Sequence, residues 1–160
     1  MAEISDMKMK YRIFMKTYEY RSLEWKPGVL LEKPLHEARI GVVTTAAFHT
    51  PDQEPFDTNQ KGGDPSFRIL PENIELNKLK AVHPSESFDH SGIDADSNLA
   101  LPLDRLRELK KEGFIGSSSP RHLSFMGVII SPEKLINETA EKAADIFIED
   151  QVDGVLLTPV

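Results

Sequence analysis

Residues 122–160, HLSFMGVIISPEKLINETAEKAADIFIEDQVDGVLLTPV, set out one strand, one helix and a second strand. His122 to Ile130 is apolar and β-branched, as a strand requires. Ser131 stands as an N-cap and Pro132 at the first helical position, where a missing N–H is no loss. Ile136, Ala140, Ala143, Ala144 and Phe147 recur at helical spacing and form the stripe that would face a sheet. Asp153 and Gly154 then turn the chain into a last strand, Val155 to Val160, expected to be buried on both faces. A strand–helix–strand unit of this kind makes its two strands parallel, with a right-handed crossover.

Working outward, RIGVVTTAAF from Arg39 to Phe48 is apolar on both faces and suits a central parallel strand. Thr50 to Ser66, punctuated by Pro51, Pro55, Gly62, Gly63 and Pro65, reads as a long polar loop, and Phe67 to Leu70 as a short strand closed by Pro71. Leu103, Leu106 and Leu109 mark a helix that Gly113 ends, with Phe114 and Ile115 packing back beneath it. The expected fold class is therefore α/β: a three-layer, mostly parallel sheet with helices on both faces, Rossmann- or flavodoxin-like. It reads as incomplete at the C-terminus, because a further helix would normally cover the last strand. Residues 1–37 read as an arm and linker. There Tyr11, Phe14 and Tyr18 are spaced as on a helix, Tyr20 and Trp25 follow, and Lys26, Pro27 and Gly28 break the pattern. Residues 38–160 form the α/β domain.

A chain of 160 residues, 39% hydrophobic and 28% charged, has the composition of one soluble domain plus an arm. No apolar run is long enough to span a bilayer. The formal charge of -7 argues against nucleic acid as a partner. The first residues lack the apolar core of a secretory signal, so the expected compartment is the cytoplasm. The absence of cysteine removes disulfides, thiolate metal sites and a cysteine nucleophile from within these residues.

In α/β sheets ligands bind beyond the carboxyl ends of the strands. His49, at the end of the first strand, is an active-site candidate on that ground; its plain alternative is a surface histidine bonded to a nearby carbonyl. The segment Val82 to Leu106 is too polar and too broken to read as core, and it gathers His83, Asp89, His90, Asp94 and Asp96. Two imidazoles and two carboxylates (His83, Asp89, His90, Asp94) could hold zinc, iron or manganese. The spacing matches no metal motif, however, and a hydrogen-bonded loop explains the same residues. Arg121 and His122 begin their strand, at the end opposite the crevice, which favours a structural role. Gly62 and Gly63 form no phosphate loop, and no serine lies in a GxSxG elbow.

Taken in order, PLHEARIGVVTTAAFH (34–49), GGDPSFR (62–68), HPSESFDHSGIDADSN (83–98) and LPLDRLRELKKEGFIGSSSPRHLSFMG (101–127) resemble the glycine, sarcosine, betaine and D-proline reductase family. The likeness is to its selenocysteine-bearing, selenoprotein B-like subunits. It implies a redox subunit in reductive C–N cleavage of an amino acid or amine. A pyruvoyl group on a partner subunit would engage the small amine substrate, a selenol or thiol directly after Val160 would act as nucleophile, and a dithiol reductant would regenerate it. Selenocysteine is thus the cofactor-like group implied for the full-length protein. His49, His83, Asp89, His90, Asp96, Asn98 and Arg121 carry over as support residues. The chain departs from the pattern at Ala46, Ala47 and Phe48, where relatives often have glycine. Two other readings compete: a metal-dependent hydrolase using the His83 to Asp96 block, and a non-catalytic interaction subunit. A bare last strand further predicts a homo-oligomer joined through that strand or the aromatic arm.

Overall fold

A computed structural model describes residues 9–17, 28–83 and 90–160, with the side chains of residues 10, 11, 14 and 15 outside that description. The chain divides into two units, Met1–Leu30 and Leu31–Val160. In the first, helix α1 spans Met9–Thr17. The aromatic stripe expected there lies outside the described side chains.

In the second unit, β1 (Arg39–Thr44) is the central strand of the sheet. One edge of β1 is taken first by β5 (Ser117–Ser118) and then by β6 (Arg121–Phe125), both parallel to it. The other edge is taken by β7 (Gly154–Thr158), also parallel, from Ile40↔Gly154 to Thr44↔Thr158. Outside β6 lies β3 (Phe67–Pro71), antiparallel, so the sheet is mixed and mostly parallel. A separate two-stranded ladder joins β2 (Phe48–His49) to β4 (Lys80–Ala81).

Helices cover both faces because β1 is apolar on both. Val42 packs into one cluster with Leu103 and Leu106 of α3 (Leu103–Lys111). Val43 packs into the other with Leu123, Phe125 and, from α4 (Ala140–Glu149), Ala143 and Phe147. Gly41 lets α4 approach: a Cβ there would lie 2.7 Å from the Phe147 ring. The α/β reading holds, with α4 carrying the chain from β6 across β1 to β7.

Helix α3 ends in a Schellman motif, Phe114 N–H bonding to Leu109 C=O and Gly113 N–H to Lys110 C=O. Gly113 has the left-handed φ of 77° that this motif needs. Ile115 enters the core, whereas Phe114 stays exposed.

Several expectations need correction. The Arg39–Phe48 strand is two pieces, because Ala47 turns the chain at φ 55° before β2 begins. That is the left-handed region where glycine is favoured, so the Ala-for-Gly departure falls where the backbone is strained. The strand from His122 stops at Phe125, not Ile130, since the main chain of 130 and 131 bonds instead to the carbonyl of Gly62. The helical stripe also shifts: Leu135, Ala143, Ile146 and Phe147 pack inward while Ile136, Ala140 and Ala144 are exposed. A π-turn over Leu135–Thr139 widens the first turns and rotates the register. The segment read as too polar for core supplies Ile93, Ala100 and Leu101, all buried. Finally, β7 is not doubly buried: Val155, Leu156, Leu157 and Val160 are 42, 41, 67 and 46% exposed.

Candidate functional site

The parallel strands β1, β6 and β7 run out at one edge, at Thr44, Phe125 and Thr158, with Thr44 in register with Ser124 on one side and Thr158 on the other. Ligands bind at such carboxyl edges, where main-chain groups lose their ladder partners. Here most of those groups are tied together. Thr45 N–H donates to Thr158 C=O (3.4 Å), Gly127 N–H to Thr45 C=O (3.0 Å) and Ala47 N–H to Phe125 C=O (2.8 Å). The last residue is pinned twice, since Val160 N–H donates to Thr45 Oγ1 at 3.0 Å and that hydroxyl donates to Val160 C=O at 3.3 Å. Thr158 Oγ1 donates to Ala100 C=O at 2.7 Å, which ties β7 to the turn before α3.

Beside this edge, between β7 and the start of the last helix, lies an apolar cleft of about 600 Å³ lined by Val43, Phe125, Met126, Leu135, Leu157 and Pro159, among others. No acidic side chain lines it. Two strained residues flank the region: Ala47, and Val128 at φ 59°, a left-handed conformation that a β-branched residue avoids.

His83 reaches the same edge. A Cβ on Gly127 would sit 2.6 Å from His83 Nε2, so the ring rests where that glycine has no side chain. Its backbone is set by β4, which pairs with β2, and by Val82 N–H donating to Ala47 C=O (3.2 Å). Burial first, and then the nearby His90, hold its proton affinity below that of an ordinary histidine.

The other sequence candidates scatter. His49 is buried on β2, and its Nδ1 pairs with Thr50 C=O at 2.9 Å. His90 opens α2 (His90–Ala95), with Asp94 exposed on the same helix. Asp89 lies outside the described residues. Asp96 and Asn98 organise the entry to α3. Asn98 Oδ1 accepts from Asp104 N–H at 3.0 Å, and its amide donates to Asp96 and Asp104. Arg121 sits at the amino end of β6, clamped to Asp150 at 2.7 and 2.9 Å and to Glu149, a role that joins β6 to the end of α4. Among the described residues no three His, Asp or Glu side chains converge as a metal site needs. Nor is any described helix long and apolar enough to cross a membrane.

Sequence reasoning missed Thr45, Gly127 and Thr158. The signal for Gly127 was a glycine directly after the apolar strand, while the two threonines look like ordinary strand residues until their ends meet.

The family model for glycine/sarcosine/betaine reductase selenoprotein B matches residues 8–160. Subunit gamma of D-proline reductase from Acetoanaerobium sticklandii is 33% identical over 134 residues, 84% of this chain and 52% of that protein. Subunit beta of component B of the betaine reductase complex from Peptoclostridium acidaminophilum is 33% identical over 132 residues, 79% of this chain and 29% of that protein. The chain thus spans about half the length of the first relative and under a third of the second. No solved structure matches it. On the strength of a match over nearly all of its length, the chain belongs to the glycine/sarcosine/betaine reductase selenoprotein B family.

Proposed function

We propose that the chain is part of the redox subunit of a reductase that cleaves the C–N bond of an amino acid or amine of the glycine, sarcosine, betaine or D-proline type. The reacting selenol or thiol is placed directly after Val160. The observation that supports this reading is the pair of hydrogen bonds that hold Val160 to Thr45 at the carboxyl edge of the sheet. The adjoining cleft is apolar and carries no carboxylate, a setting that by itself favours the neutral selenol or thiol, so the charge that stabilises the anion is assigned to the partner subunit or the substrate. When present, the selenol supplies a nucleophile that is more acidic and more polarisable than a thiol. This chain's share is to hold the strand end that precedes it and to keep water away on the cleft side. A pyruvoyl-bearing partner subunit would engage the substrate amine, and a dithiol would supply the electrons. The relatives' names, a subunit gamma and a subunit beta of a complex, support a multi-subunit assembly.

The natural gene is expected to carry UGA or a cysteine codon at position 161. The protein read through that codon, combined with its partner subunit and a dithiol, is expected to release amine from one of these substrates. Changing residue 161 to serine should abolish release. A UAA stop at codon 161, or turnover that survives the serine change, would overturn the reading.

The bare strand leads to a second expectation. Val155, Leu156 and Leu157 on β7, and Val160 beyond it, are partly exposed among the described residues. Each such side chain is worth roughly 1.5–3 kcal/mol when fully buried. A second copy pairing along β7 is the relief we assign, so the 160-residue chain should sediment as a dimer or higher oligomer. A Leu157→Lys change should shift it toward monomer, and a stable wild-type monomer that binds no hydrophobic dye would contradict the assignment.

A further inference from the structure

We propose that the groove between α4 and β7 docks helix α1 of a second copy of this chain. The groove is apolar and open. From the cleft lined by Leu135, Ala140 and Leu157 it continues along α4 as a row of exposed residues four apart, Ala140, Ala144 and Ile148. Its floor is β7. Leu157 pairs with Val43 and Val155 with Gly41, against which Phe147 packs, so both point to the face that α4 covers, and both are exposed beside it. The two alanines in the row let another helix axis come close. Pairing two β7 edges would lengthen the sheet and leave this face as bare as before.

Charge selects the occupant. Glu141 and Asp145 follow Ala140 and Ala144 by one position each, which turns them about 100° toward solvent and makes them the rim of the groove. Neither makes an ion pair among the described residues, whereas Glu149 is taken by Arg121. Lys142, two positions after Ala140, projects from the opposite flank of the helix. A groove of this kind suits an apolar helix edged with bases, and it repels a second α4, which would bring the same acids with it.

Helix α1 has the matching chemistry. Residues 8–16, KMKYRIFMK, hold four bases and no acid. Met9 and Ile13, four apart on that helix, are both exposed and form an apolar edge. Its nine residues span about 13 Å, close to the length of the ten in α4. Within one copy the apolar edge of α1 and the groove both stay exposed. A second copy covers both at once, the arm of each lying in the groove of the other, which closes a symmetric dimer.

Exchange of charge tests this in the full chain, with neither substrate nor partner subunit. Lys8→Glu, Lys10→Glu and Lys16→Glu together make the arm acidic, while Glu141→Lys with Asp145→Lys makes the rim basic. At a concentration where the wild type sediments as a dimer, each variant alone is expected as monomer, its self-association at least about tenfold weaker through like-charge contact. Mixed one to one, the two should regain the dimer, since every arm then meets a rim of opposite sign. Cooperative melting establishes that each variant is folded, and Lys16→Glu or Asp145→Lys alone replaces any that is not. A monomeric wild type, folded variants that stay dimeric, or a mixture that stays monomeric would overturn the proposal. Dimeric variants would leave the β7 edge as the joint. None of these outcomes touches the reductase reading, which stands or falls on release of amine.

Discussion

Lowering the pH from 7 to 4 is expected to cost the folded chain about 3 kcal/mol through His122 alone. This ring is fully buried; its Nδ1 accepts the Val42 N–H at 3.1 Å and its Nε2 pairs with Ser118 Oγ at 3.2 Å. It stands where the partner of β1 changes from β5 to β6 and replaces the missing main-chain acceptor. Burial, and secondly the positive charge of Arg107, push its pKa down to about 4, with Asp150 opposing weakly. An unfolded chain takes up that proton near pH 6.5, so between the two values the unfolded state binds more protons. The contribution is complete above about 6.5 and is lost as pH falls toward 4. Denaturant unfolding at pH 7 and pH 4.5 measures it. His122→Leu should be less stable at pH 7 by roughly 1–3 kcal/mol, because the Val42 N–H is stranded, and should also show a flatter acid dependence. Equal acid slopes for the two proteins would remove His122 from the account.

Gly63→Ala is expected to destabilise by roughly 3–4 kcal/mol, a large part of a typical domain's 5–15. Gly63 has φ 91°, and a Cβ there would lie 2.4 Å from Val128 C=O and 2.8 Å from Ile129 Cα. Those neighbours are main chain and cannot rotate aside. The 128–131 segment is further held by Ile130 and Ser131 N–H donating to Gly62 C=O at 2.8 and 3.0 Å. Displacing it would loosen the wall of the cleft at Ile129 and let Val128 relax from its strained φ. The control is Gly113→Ala, at φ 77° with nothing within 4 Å, which should cost only the backbone term of about 1–2 kcal/mol. Equal losses at the two glycines would show that the contact with Val128 carries no weight.

The loop containing Gly63 has its own internal order. Asp64 is buried, a setting that by itself would raise its pKa. The Ser66 hydroxyl and the N–H groups of Asp57 and Ser66 donate to it and outweigh that, so its pKa is lowered. Arg68 lies over the Phe56 ring at 4.2 Å and donates to the carbonyls of Glu54 and Pro55. A stretch read from sequence only as long and polar is therefore a built brace for the 128–131 segment.

Local pattern was enough for the parallel unit of β6, α4 and β7, for a central strand beginning at Arg39, and for the end of α3 at Gly113. Periodicity, caps and left-handed glycines act over a few residues and leave their mark in the order of residues. The family was legible too, in four blocks of residues. What the tertiary structure decided is where remote segments meet. His122 could not be read as a buried ladder member, nor Asn98 as the acceptor for the Asp104 N–H of α3, because each role depends on a partner in another element. Likewise, Arg121 is set apart from the carboxyl edge, and His83 brought to it, by the way β4 pairs with β2 and the chain turns at Ala47. The sequence by itself determined which elements form and which way the strands run, since those follow from side-chain period and turn chemistry. Only the tertiary structure decided that Thr45, Gly127, His83 and Val160 share one edge, because that depends on contacts between residues up to 115 positions apart, to which no local pattern is sensitive.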